Sequence, residues 1–145
     1  MTIYTLVGLP ASGKSTWAKA HKKDCFIVST DAIRGELFGD ESDQQNGKLV
    51  FEIAYARLAQ AVALDHDAIF DATNLSRKYR AELFKHFPTA HHVAVFFKTP
   101  YEECKRRNKQ RDRFVLVGVI RRMSYQMEPP TLAEGFNEII EVGED

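Results

Sequence analysis

Two glycines, a lysine and a hydroxyl stand at fixed spacing near the start of the sequence, in Gly8-Leu9-Pro10-Ala11-Ser12-Gly13-Lys14-Ser15-Thr16. The spacing fits G-x-x-x-x-G-K-[ST], a loop whose chemistry is to hold phosphate. Gly8 and Gly13 are expected in turn conformations that a side chain resists, which lets the backbone approach a phosphate closely. Backbone N–H groups from Ala11, Ser12 and Gly13 through Lys14, Ser15 and Thr16 then cradle the phosphates at a helix N-terminus, where the helix dipole favours negative charge. Lys14 is expected to reach the β- and γ-phosphates, and the Ser15 hydroxyl to bind Mg²⁺. The ligands this loop predicts are ATP, or another nucleoside triphosphate, and Mg²⁺.

Further candidates lie where short apolar runs end. Phe26-Ile27-Val28 leads to Asp31, with Arg34 three residues on. Positions i and i+3 share a helix face, so both side chains can address one ligand. A carboxylate beside a γ-phosphate can orient an attacking hydroxyl or accept its proton. An arginine beside it can clamp a phosphate with two donors. The alternative for Asp31 is a helix cap. Ala68-Ile69-Phe70 ends at Asp71, followed by Ala72-Thr73-Asn74. Asp71 can hold Mg²⁺ through water, as a Walker B aspartate does, or orient Arg34 or the substrate. Thr73 and Asn74 either face the substrate or only form the turn. Arg107 and Arg111 lie in a basic stretch between two helices, and a mobile lid arginine can stabilise a transferring phosphoryl group and exclude water. They share a face if the helix reaches that far.

These positions require a scaffold of alternating strands and helices. Ile3–Val7, Phe26–Val28, Ala68–Asp71, His91–Phe97 and Glu138–Val142 read as strands. Residues 13–23, 31–38, 47–64, 76–87, 99–109 and 115–127 read as helices. Gly39 is expected to stop the second helix and Pro88 to close the fourth. Residues 40–46 read as a polar loop. Thr99-Pro100-Tyr101-Glu102 reads as a capping box with Thr99 as the cap. Trp17 is expected to pack against the sheet. The alternation predicts an α/β fold with a mainly parallel sheet covered on both faces. In such sheets ligands bind outside the carboxyl ends of the strands, where the candidate residues fall.

The 145 residues suit one domain, 1–145, with 44% hydrophobic and 28% charged residues. No stretch approaches the apolar length of a membrane span, and no secretory leader is expected. Cys25 and Cys104 lack paired spacing and read as reduced thiols of a cytoplasmic protein. His21, His66, His86, His91 and His92 lack metal-ligand spacing. A net charge of +0 conceals a balance of +6 over residues 98–122 and −6 over 123–145. The basic segment suits either a solvated helix face or a cationic lid over polyphosphate or nucleic acid.

Taken together, these motifs resemble the polynucleotide 5′-hydroxyl kinases, the kinase part of the polynucleotide kinase/phosphatase enzymes of phage and animals. The likeness runs nearly end to end. Ser15-Thr16-Trp17-Ala18 after the loop, Asp31-x-x-Arg34, Phe70-Asp71-Ala72-Thr73-Asn74, Arg106-Arg107-Asn108-Lys109-Gln110-Arg111 and Glu128-Pro129-Pro130-Thr131-Leu132-Ala133-Glu134-Gly135-Phe136 carry it. The resemblance implies a three-layer P-loop kinase fold with a five-stranded sheet and an arginine-bearing lid at about 106–116. It implies Asp31 as general base and Arg34 on a substrate phosphate. It places Asp71, Thr73 and Asn74 toward the substrate, and Arg107 and Arg111 on the transferring phosphoryl. The implied partner is a 5′-hydroxyl end of DNA or RNA. Leu116 and Gly118 depart from the family pattern, which often has proline and an acid there. The phosphatase signature D-x-D-G-T is absent, so a kinase standing alone is expected. Two other readings fit the first motifs: a kinase of a nucleoside, sugar or antibiotic, and a nucleotide-dependent switch or nucleic-acid-binding module without phosphoryl transfer.

Overall fold

The computed structural model describes residues 1–21, 24–41, 46–111 and 115–143. Its elements follow in the order β1 (Thr2–Val7), α1 (Lys14–His21), β2 (Phe26–Ser29), α2 (Thr30–Phe38), α3 (Gly47–Ala63), β3 (Ala68–Asp71), α4 (Arg77–His86), β4 (His91–Phe97), α5 (Tyr101–Asn108), α6 (Val117–Gln126) and β5 (Glu138–Val142). A short 3-10 turn, Leu132–Glu134, precedes β5. The expected end of the first helix at 22–23, most of the 40–46 loop and lid residues 112–114 lie outside the described residues.

The five strands pair in the order β2-β3-β1-β4-β5, and every pair is parallel. The sheet is therefore wholly parallel. The three inner strands β3, β1 and β4 are mostly buried and read as brief apolar runs, whereas the edge strands β2 and β5 stay partly exposed. Side chains alternate along β1: Leu6 joins Ile69, Val95 and Phe97 beneath Ala18 and Trp17 of α1. Ile3 points the other way, into a larger cluster with Val28, Phe70, Ile33, Leu58 and Leu83 from α2, α3 and α4. Each fully buried Leu, Ile or Phe adds about 1.5–3 kcal/mol, so the two faces hold the sheet from both sides. Trp17 packs as expected, with its ring centroid 6.1 Å from Tyr4 and 6.4 Å from Phe97, and it stacks on His21. A third cluster of Leu9, Cys104 and Ile120 seats α5 and α6 on the phosphate loop.

Caps set the helix ends near the site. Ser29 Oγ accepts from the Ala32 N–H at 3.1 Å and starts α2, so Asp31 is not the cap. Gly39, at φ 73°, ends α2 as expected. The Thr99 capping box does not form. Pro100, at φ −62° and ψ 152°, stays extended and takes the cap position without a side-chain bond, so α5 starts at Tyr101. Thr99 Oγ1 instead donates to the Ser12 carbonyl at 2.8 Å and ties the start of α5 to the phosphate loop. The Thr131–Glu134 pair forms a capping box that the sequence reading passed over.

Candidate nucleotide and phosphoryl-transfer site

The loop from Gly8 to Gly13 leaves the central strand β1 and turns into α1. Gly13 adopts φ 108°, as expected, but the other left-handed residue is Ala11, at φ 65°. Gly8 does not adopt positive φ, which corrects the turn role expected of it. Space explains it: a Cβ there would stand 2.6 Å from Ser12 Oγ and 3.0 Å from Phe97 Cβ. Two turn bonds close the loop, Ser12 N–H to Leu9 O at 3.2 Å and Trp17 N–H to Gly13 O at 3.0 Å.

Lys14 folds back into this loop. Its Nζ donates to Gly8 O at 3.0 Å and Leu9 O at 2.7 Å. Burial lowers its pKa to about 8, against the opposing pull of Asp71 and Asp31, while Arg111 adds to the lowering. Lys14, Asp31, Asp71 and Arg111 are thus within electrostatic reach of one point. Ser15 Oγ donates to Asp71 Oδ2 at 3.3 Å, which sets a hydroxyl and a carboxylate oxygen side by side. Ser29 pairs with Asp71 in the β2–β3 register, so the ends of those strands are neighbours. Asp31 and Arg34 follow on the first turns of α2, 3.5 Å apart between Oδ1 and Nη1. Arg34 is 9% exposed, and its buried Nε has no hydrogen-bond partner.

The turn after β3 is wired to the phosphate loop. Gly8 N–H donates to Thr73 O at 3.1 Å. Asn74, at φ 49°, spends its side-chain amide on Leu6 O at 2.8 Å and Ala72 O at 3.3 Å. For Asn74 the geometry favours the turn-forming role. Where a lid was expected, α5 stops at Asn108, so Arg111 lies beyond the helix and the i, i+4 argument does not apply. Both arginines still approach the loop. Arg107 Nη1 would stand 3.9 Å from a Cβ at Gly13, while Arg107 Nε donates to Glu103 Oε1 at 3.0 Å. Bonds from Arg106 and Arg107 hold the Glu103 carboxyl at about 2. Beside them Thr99, Pro100, Glu103, Arg107 and Gly143 line a cleft of about 180 Å³.

Sequence reasoning missed Asn108 and Arg80. Asn108 is fully buried and clamps Val115 with two bonds, Nδ2 to Val115 O at 2.6 Å and Val115 N–H to Oδ1 at 3.0 Å. Arg80 is fully buried against Glu134. Its position on the apolar stripe with Leu83 and Phe87 was the available signal.

The sheet order and phosphate loop define a P-loop kinase fold. A family model described as an AAA domain, AAA_33, matches residues 3–130, and the chain belongs to that family. No curated protein matches the sequence. Among solved structures, two of the Pnkp1/Rnl/Hen1 complex match with TM-scores of 0.65 and 0.76 at 26% and 24% identity, over 73% and 86% of this chain. This chain spans only 38% and 43% of those chains. A gluconokinase from Sinorhizobium meliloti 1021 matches with TM-score 0.67 and 19% identity over 97% of this chain and 81% of its own. Kti12 of Chaetomium thermophilum, in complex with ADP-AlF3, matches with TM-score 0.64 and 16% identity over 99% and 89%. No helix among the described residues is long and apolar enough to cross a membrane.

Proposed function

We propose that this chain transfers the γ-phosphate of ATP to the 5′-hydroxyl end of a nucleic acid. The observation that carries the proposal is the Asp31–Arg34 pair: a carboxylate beside an arginine that is almost wholly buried yet keeps Nε unpartnered. A buried guanidinium donor without a partner is costly unless a ligand supplies an acceptor. A phosphate on the acceptor supplies one. Asp31, within reach of Lys14, accepts or orients the proton of the attacking hydroxyl. Lys14 leaves its two carbonyls for the β- and γ-phosphates, and Arg107 and Arg111 close over the transferring phosphoryl.

The donor set suits a magnesium ion. Ser15 Oγ and the Asp71 carboxylate are hard oxygens already in contact, and Mg²⁺ takes one or two protein oxygens plus phosphate and water. When bound, it offsets negative charge on the β/γ oxygens. Among the described residues no cluster of three His, Cys, Asp or Glu forms a denser site.

The nucleic-acid acceptor is supported by the end-to-end resemblance and by the RNA repair complex among the similar structures. A small-molecule acceptor is the second reading, favoured by the gluconokinase that covers 97% of the chain, since a sugar acid also offers an anion to Arg34. Asp31→Asn tests the shared chemistry. The expected outcome is a fall in kcat of about 10²–10⁴ with unchanged ATP affinity, and full turnover would remove Asp31 as the base. Salt separates the acceptors. A gripped oligonucleotide loses affinity along a steep log–log slope, about −0.7 per phosphate contact, whereas a single carboxylate gives a shallow one.

A further inference from the structure

We infer that Arg80 and Glu134 are a positioning pair, which sets the turn after β3 against the phosphate loop and so aligns the acceptor side of the site. The inference rests on the kinase reading above and assigns a role to residues that never reach the reacting groups.

Arg80 sits on α4 with no exposed surface. Its Nε donates to Glu134 Oε1 at 2.6 Å and its Nη2 to Glu134 Oε2 at 3.1 Å, a bidentate pair. The remaining nitrogen, Nη1, donates to Asn74 O at 2.8 Å and Leu75 O at 3.0 Å. Glu134 in turn accepts from Thr131 N–H and Oγ1, and Arg77 Nε stands 3.8 Å from it. Burial pushes the Glu134 carboxyl up, but the bonds from Arg80 and Thr131 outweigh it and leave the group below its ordinary range. Glu134 is therefore held as the carboxylate.

The output of this ion pair goes into one short stretch. Asn74 and Leu75 carry the two carbonyls that Arg80 holds, and Leu75 O also accepts from Glu128 N–H at 2.9 Å. One residue back, Thr73 O takes the Gly8 N–H, and Asn74 reaches Leu6 O on β1. Asp71, in contact with Ser15, opens the same stretch. The segment 128–134 thus fixes 71–75, and 71–75 meets the loop that holds the nucleotide. Stability alone does not require charge here. A buried ion pair replaced by apolar residues of similar volume is often as stable or more stable, but two apolar side chains cannot hold two carbonyls in register.

That difference supplies the test. Arg80→Met alone strands a buried carboxylate and should unfold easily. The paired variant Arg80→Met with Glu134→Leu should recover most of the stability that the single variant loses, falling short of the wild type only by the unmade bonds at the Asn74 carbonyl and the Thr131 amide. Its acceptor kcat/KM should nevertheless fall at least about tenfold with the KM for ATP unchanged, and Glu134→Gln should fall between the two. In parallel, NMR hydrogen exchange at the Gly8 and Glu128 amides, which donate to Thr73 O and Leu75 O, and at the Asn74 side-chain amide should quicken in the paired variant, a readout that needs no acceptor. Wild-type exchange and wild-type acceptor kinetics in the stable paired variant would overturn the positioning role. If no acceptor turns over even in the wild type, the kinase reading fails, and the exchange rates alone decide this one. A paired variant that does not recover stability would show the pair to be structural and would also overturn it.

Discussion

Lys14 is charged while packed in a closed loop, and that makes it titratable within reach of ordinary buffers. Its pKa falls from 10.5 to about 8, chiefly through burial. The shift of roughly 2.5 units corresponds to about 3 kcal/mol. Between pH 8 and 10.5 the unfolded chain still carries the lysine proton while the folded chain has lost it. Stability from this group therefore rises with pH across that window, by about 1.4 kcal/mol per unit, and the penalty is fully present below pH 8. Other groups mask it. Burial raises the pKa of Tyr4, Tyr55, Cys25 and Cys104, and each of these lowers stability as pH rises. The difference between wild type and Lys14→Met isolates the lysine. In urea unfolding from pH 7 to 10, the wild type should gain on the variant by about 2–3 kcal/mol in total. Nucleotide binding reads the same group. Phosphates beside Lys14 restore its charge, so ATP binding above pH 8 should take up a proton and weaken up to about tenfold per pH unit. Calorimetry in two buffers of different ionisation enthalpy counts that proton. A pH-independent stability difference, or binding without proton uptake at pH 9, would refute the reasoning.

Gly135 adopts φ 141°, and a Cβ there would meet the Phe84 ring at 2.7 Å. Gly135→Ala should cost about 2–5 kcal/mol by strain and overpacking together, read as a drop in the urea midpoint. Asn108→Ala removes both bonds to Val115 and should cost about 2 kcal/mol; limited proteolysis should then cut faster near residues 109–116. His92 is buried, its Nε2 donates to Phe87 O at 2.8 Å, and its Nδ1 has no partner. Burial lowers its pKa against the bond to Phe87. Its folded value lies below its unfolded 6.5, so stability should fall as pH drops below about 6.5. A His92→Phe variant should lack that component in acid unfolding.

Most of the fold was legible because parallel strands buried on both faces appear as short apolar runs, as in Ala68-Ile69-Phe70. The positions of Asp31 and Asp71 followed from the ends of those runs. What escaped was polar and long-range. Arg80 and Glu134 are 54 residues apart in sequence, and each alone looks like a surface charge. Asn108 looks like a helix-ending residue, yet its amide clamps the backbone of Val115, seven residues on. The cap at Thr99 did not form because Pro100 stays extended and takes the cap position, while the Thr99 hydroxyl donates to the Ser12 carbonyl, 87 residues away. Ala11 in a left-handed turn contradicts local preference, which is expected where a loop is shaped for a ligand.

The central claim is phosphoryl transfer to a nucleic acid end. It is tested most directly by incubating the protein with γ-labelled ATP and Mg²⁺, offering a short 5′-hydroxyl oligonucleotide, its 5′-phosphorylated counterpart, or gluconate. The account predicts label on the 5′-hydroxyl oligonucleotide alone, lost in Lys14→Met. Label on gluconate and none on the oligonucleotide would contradict it.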